Sequence, residues 1–144
     1  MGWLPKRCVV VPVDFSDESL AAVNLALDLV QDASQVHVVH VLAELSYAEK
    51  GFSRETTDRF DQDRRQYAEG VLRKALAGPQ YAKVQLSVAI GDAGREIVDY
   101  AQKAGAELIV IPSHGRTGLK RLLIGSVAER VLRLAHCPVL VLRS

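Results

Sequence analysis

The residues with the clearest chemical potential lie between 109 and 130. The β-branched run Ile109-Val110-Ile111 breaks at Pro112-Ser113-His114-Gly115, and Gly118 and the cations Arg116, Lys120 and Arg121 follow. The stretch closes at Gly125-Ser126, directly before a helical pattern. A strand that feeds a glycine-rich loop and then a helix N-terminus is an anion site. Free backbone N–H groups and the helix dipole converge there, and phosphate is the anion they suit. Plainer roles exist for each residue. The glycines can supply positive-φ turns, the three cations can be solvated, and Ser126 with Glu129 has the S-x-x-E form of a capping box.

A second candidate is Asp14, at the end of the apolar run Arg7–Phe15. A carboxylate there can accept from hydroxyl or amino groups of a ligand, or satisfy its own turn. His37 and His40 stand three positions apart in a strand-like run, so alternation sends them to opposite faces, a poor geometry for a shared metal. His114 lies in the glycine loop with no partner base or nucleophile evident, and His136 and Cys137 read as packing residues. Cys8 and Cys137 form neither a metal spacing nor a redox spacing. No G-x-x-x-x-G-K-[ST] occurs, and the turn after the first strand reads Asp-Phe-Ser-Asp instead of G-x-G-x-x-G. P-loop and dinucleotide-binding chemistry are therefore excluded. A receiver domain is excluded as well, because no acceptor aspartate ends a later strand. No catalytic residue is assigned.

The elements that must hold these residues can be read in order. Arg7–Phe15 is a strand buried on both faces, with Pro12 tolerable only near its end. Residues 17–31 form an amphipathic helix, with Leu20, Val23, Leu27 and Val30 facing in. Val36–Leu42 is a second strand, and 43–52 a loop. Residues 53–77 make a charged surface helix that stops at Gly78-Pro79. Lys83–Ile90 is an edge strand, and a helix after Gly91-Asp92 closes at Gly105. Glu107–Pro112 is the fourth strand, a helix starts at Ser126, and Pro138–Leu142 is the fifth strand.

Strands alternating with helices predict an α/β fold, an open five-stranded parallel sheet with helices on both faces. Ligands in such sheets sit at the strands' carboxyl ends, where strand order reverses. That rule selects Asp14, the residues after Leu42 and the loop after Ile111. The chain has 144 residues, 49% of them apolar and 24% charged, and a net charge of +1. One domain spanning 1–144 is expected, with no field directed at nucleic acid and no membrane span. A cytoplasmic location is expected.

Taken together, these residues resemble the universal stress protein family. The likeness rests on Val11-Pro12-Val13-Asp14-Phe15-Ser16, on Ser113-His114-Gly115-Arg116-Thr117-Gly118-Leu119, and on Gly125-Ser126-Val127-Ala128-Glu129-Arg130 with His136-Cys137-Pro138-Val139-Leu140-Val141-Leu142. The family's nucleotide-binding branch carries G-x2-G-x9-G-S/T. Gly115, the nine residues Arg116–Ile124, and Gly125-Ser126 fit that motif, while Pro112 stands where its first glycine belongs. Proline has no N–H and a fixed φ. If that glycine's amide binds ligand, affinity falls ten- to hundredfold, about 1.5–3 kcal/mol, and the amides of Ser113, Gly115, Gly125 and Ser126 remain as donors.

The resemblance implies strand order 3-2-1-4-5, the adenine nucleotide alpha hydrolase-like arrangement, and a stress-response protein that binds ATP, with or without Mg²⁺. It implies Pro12, Val13 and Asp14 at the base or ribose and Val41 beside adenine. Ser113, His114, Gly115, Arg116, Gly125, Ser126 and Val127 would lie at the phosphates. It also implies a homodimer through strand 138–142. The alternatives are a nucleotide-free dimerisation module of the same fold, favoured by Pro112, and a slow ATPase.

Overall fold

The computed structural model describes residues 2–115 and 123–143. Five strands, β1 (Val9–Pro12), β2 (Val36–Leu42), β3 (Gln85–Ile90), β4 (Leu108–Pro112) and β5 (Val139–Leu142), form one parallel sheet in the order β3-β2-β1-β4-β5. This is the expected 3-2-1-4-5 order. Helices α1 (Asp17–Leu27) and α2 (Arg54–Ala75) cover one face, and α3 (Ala93–Ala104) and α4 (Ser126–Leu134) cover the other.

Alternation along the strands builds two cores. Val9, Val11, Val36, Val38, Leu108 and Val110 point to α1 and α2, where they meet Val23, Ala26 and Leu72. Val10, Val39, Ile109 and Ile111 point to α3 and α4, where they meet Ile97, Val98, Ala128 and Val131. Central strands buried on both faces need continuous apolar runs, and Val9-Val10-Val11 and Leu108–Ile111 supply them.

Several boundaries differ from expectation: β1 spans Val9–Pro12 instead of Arg7–Phe15, and β3 starts at Gln85 instead of Lys83. Helix α1 stops at Leu27 instead of residue 31, and its buried face is Ser19, Ala22, Val23 and Ala26. The chain beyond it is captured by the N-terminal segment. The Lys6 amide donates to the Leu29 carbonyl at 2.8 Å, and Val30 makes a parallel bridge to Lys6. A tertiary contact overrides helical periodicity there. Helix α4 begins at Ser126, but its cap is Gly125, with no side chain bonding back to the helix amides. The Ser126–Glu129 capping box does not form, because Ser126 already lies inside the helix.

The strand register opens the sheet at its centre. Pairing of β2 with β3 continues to Leu42↔Ile90, and that of β4 with β5 to Pro112↔Leu142. Pairing of β1 with β4 ends earlier, at Val10↔Ile109. By the alternation of a parallel ladder, the next two donors across this seam would be the amides of residues 12 and 112. Both are proline. Neither supplies an N–H, so the seam opens without leaving a buried donor orphaned.

Candidate functional site

The opened seam is the floor of a cleft of about 580 Å³ at the carboxyl ends of the strands. Pro12, Val13 and Asp14 line it from β1, Val41 from β2, and Pro112 and Gly115 from β4 and its loop. Gly125, Ser126 and Val127 line it from the start of α4. Eight of the residues expected at a ligand are thus brought together, and Pro112 joins them. Arg116 lies outside the described residues, as do Gly118, Lys120 and Arg121.

Ser113 and His114 do not line the cleft. Ser113 is 3% exposed, and its amide donates to the Leu142 carbonyl at 2.7 Å. Its carbonyl accepts from the Gly125 amide at 2.5 Å, and its hydroxyl lies 3.2 Å from His114 Nδ1. Ser113 therefore pins the loop between β5 and α4. The amides of Ser113 and Gly125, expected as phosphate donors, are both spent inside the protein, because the loop needs them to hold its own shape.

The open donors lie one residue further on. The first intrahelical bond of α4 runs from the Glu129 amide to the Gly125 carbonyl, so the amides of Ser126, Val127 and Ala128 precede the helical pattern. Helices α1, α2 and α3 each have a side-chain cap, from Ser16, Ser53 and Asp92. Among these four helices α4 alone is uncapped, and its bare N-terminus faces the cleft. Such an end attracts an anion through both its N–H groups and the helix dipole.

At the end of β1, beside Gly115, Asp14 serves its own turn and faces the loop. Its Oδ1 accepts from the Ser16 amide at 3.0 Å and from the Ser16 hydroxyl at 2.6 Å. The Ser16 hydroxyl in turn caps α1 at the Ser19 amide. A methyl group on Gly115 would stand 2.8 Å from Asp14 Oδ2. Gly115 does not have positive φ, so what a side chain at 115 would disturb is this carboxylate, not the turn geometry. Among the described residues Phe15 is the non-glycine with positive φ, 67°, and its ring centroid lies 4.6 Å from that of His40. A bulky side chain in that region costs about 1–2 kcal/mol, and the packed ring offsets the cost.

The cleft walls also include Val39, His40, Ala93, Ile97, Ile111 and Ala128, which sequence reasoning did not place there. The signal for His40 was partly present. His37 and His40 do face opposite ways, His37 bonding Tyr100 Oη at 2.7 Å and His40 the Val13 carbonyl at 2.6 Å. Burial pushes the His37 pKa down. It pushes both cysteine thiols up, with Glu107 adding to the effect at Cys8, so neither cysteine is an activated nucleophile. Among the described residues, no three His, Cys, Asp or Glu side chains cluster as metal ligands, and no helix is long and apolar enough to cross a membrane.

A model described as "Universal stress protein family" matches residues 6–143. Universal stress protein MJ0531 of Methanocaldococcus jannaschii is 34% identical over 139 residues, covering 94% of this chain and 81% of that one. The solved structure of MJ0577, from the same organism, superposes with a TM-score of 0.79 at 25% identity, covering 98% of each chain. A universal stress protein of Archaeoglobus fulgidus solved in complex with dAMP has a TM-score of 0.56 at 23% identity, covering 96% of this chain and 98% of that one.

Proposed function

The chain belongs to the universal stress protein family, and we propose that it is a nucleotide-binding member, holding ATP in the cleft between β1 and β4. The observation that carries this reading is the uncapped N-terminus of α4 facing the cleft. Its three leading amides receive the phosphates, and Mg²⁺ enters with the nucleotide. Asp14 lies beside Gly115 at the end of β1, where a carboxylate accepts from ribose hydroxyls. The base fits between the apolar walls, with Val41 at its edge. The Archaeoglobus protein, of the same fold, was solved in complex with dAMP, which supports the reading. The wider role we assign is that of a cytoplasmic stress-response regulator acting as a homodimer, with one domain per chain.

The test is direct. The purified protein is denatured and the supernatant examined by mass spectrometry for released nucleotide, and the refolded protein is titrated with ATP and Mg²⁺ by calorimetry. The expected result is a bound adenine nucleotide or a saturable heat. Neither signal would leave the fold as a nucleotide-free interaction module.

Pro112 gives a second test. An amide at position 112 would point across the seam at the Pro12 carbonyl, by the alternation that sends the Ile109 and Ser113 amides to β5. Pro112→Gly should therefore change ATP affinity by less than about threefold, well short of the ten- to hundredfold that a lost charged hydrogen bond costs. A tenfold gain in a calorimetric titration would mean that the amide reaches the ligand.

A further inference from the structure

The end of the β1–β2 ladder contains a substitution of one donor for another. The Val13 amide donates to the Val39 carbonyl at 2.9 Å, so residue 39 faces β1 and residue 41 does too. On the other side, the Gly91 amide donates to Leu42, which places even-numbered residues of β2 toward β3. The next rung of the β1–β2 ladder would be the Val41 amide donating to the Val13 carbonyl. That bond is not made among the described residues. The Val13 carbonyl accepts instead from His40 Nδ1, at 2.6 Å. A carbonyl only accepts, so Nδ1 carries the proton.

We infer that His40 is a positioning residue that keeps the Val41 amide open to the cleft, and through it sets which base the cleft accepts. The inference rests on the nucleotide-binding reading of the same cleft. Because the imidazole satisfies the Val13 carbonyl, β2 runs past the end of β1 with the Val41 N–H and C=O both facing the opened seam. A donor beside an acceptor on a strand edge matches a base edge that offers a ring-nitrogen acceptor beside an amino donor, as adenine does. Guanine offers a ring N–H beside a carbonyl, the reverse order, and leaves both Val41 groups unpaired. Sites of that kind reject the wrong partner because their own buried polar groups are stranded. Phe15, packed on the imidazole, fixes the ring from the other side. Without the imidazole donor, the Val13 carbonyl recaptures the Val41 amide and the ladder closes by one rung.

The experiment uses ligand-free amide exchange by NMR together with calorimetric titrations of ATP and GTP, on the wild type, His40→Leu and His40→Asn. Leucine keeps apolar bulk and removes the donor, whereas asparagine puts an amide N–H close to the Nδ1 position. In the wild type the Val41 amide should exchange at a nearly unprotected rate. In His40→Leu its exchange should slow by tenfold or more, and the preference for ATP over GTP should drop roughly tenfold, the order of one recognition hydrogen bond. His40→Asn should restore both. A protected Val41 amide in the wild type overturns the inference even if His40→Leu does not fold. So does unchanged exchange in His40→Leu, or an asparagine variant that behaves like leucine. Absence of any nucleotide binding by the wild type would overturn the nucleotide reading alone, because the exchange rates still decide what His40 does.

Discussion

Gly125→Val is expected to abolish nucleotide binding while the fold stands. The backbone at Gly125 has φ −75° and ψ 165°, a conformation open to any residue, so the effect does not come from lost backbone freedom. It comes from space. A Cβ at 125 would lie 3.2 Å from the Ser113 carbonyl oxygen and 3.4 Å from His114 Cα, both of them backbone atoms of the loop that β4 sends toward the cleft. Valine adds two methyl groups to that contact. The loop and the start of α4 must then separate, breaking the Gly125–Ser113 hydrogen bond that clamps them. The three uncapped amides of α4 move with it. Losing two of their charge-assisted bonds, at about 1.5–3 kcal/mol each, predicts an affinity loss of hundredfold or more. Overpacking of this kind costs about 1–3 kcal/mol of stability, which thermal melting would show as a modest fall in Tm. Gly125→Ala should retain measurable binding, since a single carbon at 3.2–3.4 Å needs a shift of only a few tenths of an ångström. Calorimetry on the two variants checks the ordering, and valine binding as tightly as glycine would remove α4 from the phosphate site.

The same residues show how far the sequence was legible. The parallel sheet and the two-sided core follow from alternation and from the apolar runs at β1 and β4, because central parallel strands have few other ways to be written, whereas the strand order was legible only through the family resemblance. Asp14, Gly115 and Gly125 were legible as residues of the candidate site because each ends or begins an element at the switch point. What escaped depended on contacts between distant segments. Ser126 has the sequence of a cap, yet Gly125 occupies that position because Ser113 holds its amide. Pro112 reads in sequence as a lost ligand donor. Only the register with β1, set by residues a hundred positions away, shows that its amide would point at Pro12. His40 looked like half of a poor metal pair, and its bond to Val13 depends on β1 ending one rung before β2 does.

The outer edge of β5 is the other place where a single substitution should have a large effect. Ile109 and Ser113 donate to Pro138 and Leu142, so the even-numbered residues of β5 bond to β4, and the backbone groups of Val139 and Val141 face outward. The side chains of this strand are held against both cores, with Leu140 and Leu142 on one face and Val139 and Val141 on the other. That leaves an ordered row of unpaired donors and acceptors on an all-apolar strand, Val139-Leu140-Val141-Leu142, whereas the opposite edge, β3, is interrupted by Gln85 and Ser87. Such an edge invites a partner strand, and a twin related by a two-fold axis supplies one antiparallel. Val141→Pro removes only an outward N–H and should be tolerated within one chain, as proline is on edge strands. In a symmetric dimer it deletes two bonds and strands two acceptors, a loss that should weaken association roughly a hundredfold or more. Leu140→Pro is the contrast, since it cuts the β4–β5 ladder and should destabilise the chain itself. Light scattering at micromolar concentration should find the wild type dimeric and Val141→Pro monomeric with near-native melting. A wild type that runs as a monomer, or a Val141→Pro variant that stays dimeric, would mean that this edge is not where the chains meet.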